Sequence, residues 1–156
     1  MSGFSCCNGT ALESSTKLQD SIYFRSVDNQ TLYVNLFVPS TLNWTERNVI
    51  VKQRTDFPCA DTTELLIKGG GRFDIKIRVP QWATRGCFVK INGRLKSIKA
   101  APGACLTLRR TWRDGDKIEL RIPLHFYLDS VVDRPNLASI FLRPGLVGGR
   151  RVRPPD

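Results

Sequence analysis

From Phe73 to Val79, apolar and polar residues alternate without a break. Phe73, Ile75, Ile77 and Val79 fall on one side, with Asp74, Lys76 and Arg78 on the other. A period of two marks a half-buried antiparallel strand. Ser21–Arg25 and Leu32–Val38 are β-branched and aromatic runs separated by Ser26-Val27-Asp28-Asn29-Gln30, which is a hairpin signal. Asn48–Arg54 alternates with Val49 and Val51 together, and Glu64–Lys68 leads into Gly69-Gly70-Gly71, a flexible turn suited to a second hairpin with the 73–79 strand. Cys87–Ile91 runs into Asn92-Gly93, the strongest short hairpin turn. Leu106–Arg109, Lys117–Ile122, Phe126–Val132 and Leu137–Leu142 complete the series, with Asp114-Gly115-Asp116 as another turn. Pro80, Pro123 and Pro144 each close a strand, where a missing N–H does least harm.

Helical periodicity occurs once. Thr10-Ala11-Leu12-Glu13 fits a capping box, and Ala11, Ser15, Leu18 and Ile22 follow on one face, which predicts a short helix to about Asp20. Glu13 is three residues beyond the cap and is read as a capping carboxylate, not a catalytic one. About ten short strands after one helix predict a mainly β chain, an antiparallel β-sandwich preceded by that helix.

At 156 residues, 41% hydrophobic and 24% charged, the chain has the composition of one ordered globular domain with short appendages. No window reaches the ~18 apolar residues of a membrane span, and the N-terminus lacks a basic segment followed by an apolar one. The expectation is therefore no membrane partner, and a cytoplasmic location if Met1 is the true start. The net charge is +10, of which the last fourteen residues supply +3, four arginines against Asp156. No run of five basic residues occurs, so nucleic acid is not expected as a partner.

Candidate chemistry rests on sulfur. The five cysteines, Cys6, Cys7, Cys59, Cys87 and Cys105, are too few and odd in number for a disulfide scaffold. Cys87 and Cys105 lie in apolar stretches and read as small buried hydrophobes. Cys6 and Cys7 lie just before the predicted helix, whose positive end favours a thiolate, and thiolates are both nucleophiles and zinc ligands. Two thiolates fill half of a tetrahedral zinc shell, and the single histidine, His125, is remote in sequence. The spacing alone leaves a reactive pair and a chance pair of buried thiols both open.

The run Cys6-Cys7-Asn8-Gly9-Thr10-Ala11-Leu12-Glu13 through Phe24 resembles a signature stretch of glycoside hydrolase family 127, the β-L-arabinofuranosidases. The likeness continues through Leu32–Ser40, Val79-Pro80-Gln81-Trp82-Ala83, Ile91-Asn92-Gly93 and Trp112-Arg113-Asp114-Gly115-Asp116. In that family an (α/α)6 barrel carries catalysis and β-sandwich domains follow it. The resemblance implies that Cys6 is the nucleophile, that Cys6 and Cys7 bind zinc with a cysteine and a glutamate from earlier in the barrel, and that a separate upstream glutamate is the acid/base.

The resemblance also divides the chain. Residues 1–20 correspond to the end of the catalytic barrel, 21–142 to the β-sandwich, and 143–156 to a basic Arg/Pro-rich tail without regular structure. The expectation is a C-terminal fragment of a zinc- and cysteine-dependent retaining hydrolase, inactive alone, holding no zinc stably, with arabinose-containing glycans and the missing barrel as the parent's partners. The alternative is a non-catalytic β-sandwich carbohydrate-binding or accessory module, with Trp82 or Trp112 as a sugar platform. Both tryptophans are read first as packing residues, Trp44 as a helical-turn anchor, His125 as a structural hydrogen-bonder, and Arg109-Arg110 as a solvated strand end.

Overall fold

The computed structural model describes residues 17–98, 100–131, 134–142 and 145–151. Residues 17–20 form a helical turn, the end of the expected helix; its earlier residues, with Cys6, Cys7 and Glu13, lie outside the described residues. Thirteen strands follow: β1 (Tyr23–Arg25), β2 (Thr31–Val34), β3 (Ser40–Trp44), β4 (Val49–Thr55), β5 (Thr62–Lys68), β6 (Gly71–Arg78), β7 (Phe88–Ile91), β8 (Arg94–Lys96), β9 (Cys105–Trp112), β10 (Lys117–Arg121), β11 (Phe126–Val131), β12 (Arg134–Leu142) and β13 (Gly145–Arg151).

Two sheets make the sandwich. One has the order β1-β2-β6-β9 and the other β3-β4-β5-β10-β7-β8. Alternation along each strand sends one set of side chains inward: Phe73, Ile75 and Ile77 from β6, Leu106 and Leu108 from β9, Val49 and Val51 from β4, Leu65 and Ile67 from β5, all buried in one cluster. Trp44 meets Phe73 edge-on at 5.3 Å across the two sheets. Trp112, at 1% exposure, donates its indole N–H to the Phe73 carbonyl at 2.9 Å. The mainly β sandwich is thus the architecture that the alternation predicts. Among the described residues the one exception to antiparallel pairing is β2 beside β6, which run parallel because the chain leaves that sheet after β2, builds β3, β4 and β5 in the other, and only then returns.

Asn92-Gly93 forms the expected two-residue hairpin, with Ile91 paired to Arg94 and both turn residues at positive φ. The β1–β2 hairpin also forms, and the Asp28 carboxylate accepts the Gln30 N–H at 3.0 Å within its loop. The glycine turn behaves differently from expectation. Gly69-Gly70-Gly71 closes no hairpin; it carries the chain from β5 in the six-stranded sheet to β6 in the four-stranded one. The physical reason is crowding at this corner. A Cβ on Gly69 would lie 2.4 Å from the Asn48 carbonyl oxygen, one on Gly70 2.6 Å from that of Trp112, and Gly69 has φ +84°. The β9–β10 turn crosses between the same sheets beside it, and Asp114 Oδ1 accepts the Gly69 N–H at 2.7 Å.

Three further elements depart from the pattern-based expectation. Ser40–Trp44 is a strand paired with β4, and Trp44 is its buried last residue, ahead of a 3-10 turn at Thr45–Arg47. Phe126–Val131 and Arg134–Leu142 pair with each other in a separate three-stranded sheet, not in either sandwich sheet. Gly145–Arg151, expected to lack regular structure, is that sheet's third strand, β13. The segment contains no proline, so every residue in it can offer both backbone groups to β12.

Candidate functional site

The segment that carries the double cysteine enters the described structure at Lys17 and is fastened to the sandwich by backbone chemistry. The Ser21 N–H closes the last helical turn on the Leu18 carbonyl at 3.1 Å. Just beyond it, the Asn35 side chain donates to the Ser21 carbonyl at 2.9 Å, and the Asn35 N–H donates to the Ile22 carbonyl at 2.9 Å. Ile22 is buried, so the chain leaving the helical turn is held both by an apolar anchor and by the residue that follows β2.

Beside this junction lies an open groove of about 420 Å³ lined by Leu18, Phe37, Val38, Phe57 and Trp82 among others. Phe57 stacks on Trp82 with ring centroids 5.8 Å apart and planes 10° from parallel, and Phe37 meets Phe57 edge-on at 5.7 Å. Trp82 therefore packs at a strand end, with one ring face covered by Phe57. Trp112 is core and has no surface to offer as a platform.

Cys6 and Cys7 fall outside the described residues, and among the described residues no three His, Cys, Asp or Glu side chains gather as a metal site. Cys59 and Cys105 are exposed free thiols; Cys105 is thus the outward residue at the start of β9, not a buried hydrophobe. Cys87 is half-buried, and burial pushes its thiol above the usual range. His125 Nε2 lies 3.4 Å from the Thr84 hydroxyl, a weak contact, and its buried Nδ1 has no partner among the described residues.

A second polar centre has no forerunner in the sequence pattern. Asp116, buried at the β9–β10 turn, accepts the Asn92 amide at 2.7 Å on Oδ1 and the Arg113 N–H at 2.9 Å on Oδ2, with Arg110 Nη2 at 3.3 Å. Burial pushes the Asp116 carboxyl up, but these hydrogen bonds and the Arg110 and Arg113 charges outweigh it, and the net direction is down. Arg110 is no simple solvated strand end. The alternation Leu106, Leu108, Arg110, Trp112 puts it in the inward column of β9, with its guanidinium 5.0 Å from the Trp112 ring. Arg109 points the other way, mostly in solvent, 3.3 Å from Asp74. That inward column is the available signal for Arg110; nothing in the residue order alone ties Asn92 to Asp116.

Similarity to known proteins defines the class. The family described as "Beta-L-arabinofuranosidase, GH127 middle domain" matches residues 31–124, more than half of the chain. The chain belongs to that family.

Solved structures agree in fold. One described as a glycoside hydrolase superposes with a TM-score of 0.79 at 22% identity, covering 92% of this chain and 25% of its own. A GH127 β-L-arabinofuranosidase from Geobacillus stearothermophilus T6 gives 0.79 at 23% identity, with 92% and 24% covered. A third, a GH127 β-arabinofuranosidase, gives 0.68 at 21% identity, with 80% and 23% covered. The chain thus spans about a quarter of the length of these proteins. No curated protein matches it.

Proposed function

We propose that this chain is the double-cysteine and β-sandwich part of a retaining GH127 glycoside hydrolase acting on arabinofuranosides. The match of residues 31–124 to the GH127 middle domain supports the reading, and Cys6-Cys7 lie N-terminal to the matched segment in the same chain. Cys6 attacks the anomeric carbon as a thiolate: a C–S bond forms, the glycosidic C–O bond breaks, and the leaving oxygen takes a proton from a carboxylic acid. Water then displaces the sulfur, so that the anomeric configuration is retained. The acid belongs to the barrel that the family resemblance implies, and Glu13, whose spacing from Thr10 suits a capping carboxylate, is not assigned that role.

Cys6 and Cys7 supply two of the four donors of a zinc shell, and the thiolate pair suits that ion. Zinc, when bound, keeps the sulfur deprotonated at neutral pH. The other two donors, a cysteine and a glutamate, are those that the family resemblance assigns to the barrel.

The 156-residue chain alone is inactive in this reading. General acid assistance is worth roughly 10²–10⁴-fold, and a thiolate without it cannot expel a sugar oxygen at a useful rate. The test is to incubate the pure chain with an aryl β-L-arabinofuranoside: no aryl alcohol above the buffer rate is expected, and steady release overturns the reading.

A further inference from the structure

A cleft of about 690 Å³ opens between the free edges of the two sheets, β9 on one and β8 on the other. Arg94, Lys96 and Arg110 line it together with Asn92 and Ile98, and no carboxylate does; Arg109 also borders it but directs its guanidinium away, to Asp74. Two neighbouring acids are already committed. Asp74 pairs with Arg109 and lies outside the lining, and Asp116 is saturated from behind by Asn92, Arg113 and Arg110. Arg94 and Lys96 are exposed and make no ion pair among the described residues. The cleft is therefore cationic with unanswered charge.

One of its cations is held in place by its neighbours. Arg110 is half-buried and fixed by the Trp112 ring on one side and the Asp116 carboxylate on the other, which leaves its Nη1 without a partner among the described residues. A guanidinium already oriented loses little freedom when it meets a carboxylate. Arg94 and Lys96 stand on the short β8 strand directly after the rigid Asn92-Gly93 turn, and the Asn92 side chain is itself clamped between Asp116 and the Lys117 N–H. The volume lies within the usual range of about 300–1,000 Å³ for small-ligand sites.

We propose that this cleft binds the carboxylates of an acidic oligosaccharide, a chain of uronic-acid units. The glycan class rests on the glycosidase reading above; the anion preference does not. Nucleic acid fits less well. The cleft exposes no aromatic ring on which a base could stack, since Trp112 is buried beneath Arg110, and its cations are confined to two short edges instead of tracking a backbone.

The experiment titrates the 156-residue protein with hexagalacturonate by calorimetry, alongside a neutral arabino-oligosaccharide and a short DNA duplex of matched charge. Two double variants separate the cleft from bulk charge. Arg94→Ser/Lys96→Ser removes two lining cations, and Lys52→Ser/Arg54→Ser removes two exposed cations from β4. We expect saturable uptake of hexagalacturonate, weakened about tenfold or more in the first variant and less than about twofold in the second. Equal weakening in both shows attraction by net charge alone and overturns the proposal. So does absence of saturable uptake, or tighter binding of the duplex through the same residues. Arg94-dependent uptake by a chain whose Cys6 proves irrelevant to hydrolysis would remove only the glycosidase reading, so the two failures are distinguishable.

Discussion

Asn92 and Asp116 hold the two turns of the sandwich edge together: the Asn92 amide donates to the Asp116 carboxylate at 2.7 Å, while Asn92 Oδ1 accepts the Lys117 N–H at 2.8 Å. One side chain thereby ties the β7–β8 hairpin to the β9–β10 crossing. Asp116→Ala leaves the Asn92 amide and the Arg113 N–H without their acceptor and Arg110 without its counter-charge. The expected loss is about 2–4 kcal/mol of stability, read as a lowered urea midpoint. Asp116→Asn, which keeps the shape and one acceptor, is expected to lose less than half of that.

The pH dependence follows from the same residue and its neighbours. The carboxyls of Asp116, Asp61 and Glu119 are all lowered: Asp116 by the set of partners already described, Asp61 first by its bond to Arg121, and Glu119 first by its bond to Lys117. A carboxyl that ionises more readily in the folded chain contributes fully above its unfolded value, 3.8 for aspartate, and its contribution disappears as pH falls through the lower folded value. Denaturant midpoints are therefore expected to hold steady from pH 7 to 5 and to fall below about 4, with Asp116→Asn flattening the decline. Lys117 is raised, first through its hydrogen bond to Glu119, so its contribution is present below the ordinary lysine value of 10.5 and is lost only at still higher pH.

The glycine corner is tested by paired substitutions. Gly70→Ala places a methyl 2.6 Å from the Trp112 carbonyl oxygen, and backbone must shift to admit it. Gly86, unlike Gly70, has positive φ, +80°, but a methyl there would meet nothing within 4 Å. Gly86→Ala is expected to cost about 1 kcal/mol from conformation alone, and Gly70→Ala at least about twice as much. Equal thermal shifts in the two variants would remove the crowding argument.

Asn35 couples the helical turn to the sandwich. Asn35→Ala removes the 2.9 Å bond to the Ser21 carbonyl while leaving the backbone bond to Ile22 in place. The expected global cost is about 1 kcal/mol, with amide exchange accelerated at Ser21 and Ile22 well before it changes in β6. Uniform acceleration across the chain would show that the junction has no local stability of its own.

Much of the sandwich is legible in the sequence because alternation has one physical cause, a strand with a wet face and a dry face. Phe73–Val79 and the Asn92-Gly93 hairpin need nothing more. The glycine turn misleads because three glycines announce a tight change of direction without saying which sheet receives the chain; that depends on the Asn48 and Trp112 carbonyls, remote in sequence. Ser40–Trp44 gives a weak strand signal because only Leu42 and Trp44 in it are strongly apolar. The charge of Arg110 suggests solvent, yet its inward direction follows from the parity it shares with Leu108 and Trp112. The double cysteine is legible as a motif within the run to Phe24, whereas the clamp of Asn92 on Asp116 exists only once two hairpin ends have been brought together.

The role assigned to Cys6 is tested most directly in a chimera in which residues 6–142 replace the equivalent quarter of the Geobacillus β-L-arabinofuranosidase, assayed on an aryl β-L-arabinofuranoside. The account predicts turnover that falls by about 10³-fold or more with Cys6→Ala and stays within about twofold with Cys105→Ala, an exposed free thiol at the outward start of β9. Turnover that survives Cys6→Ala undiminished contradicts it.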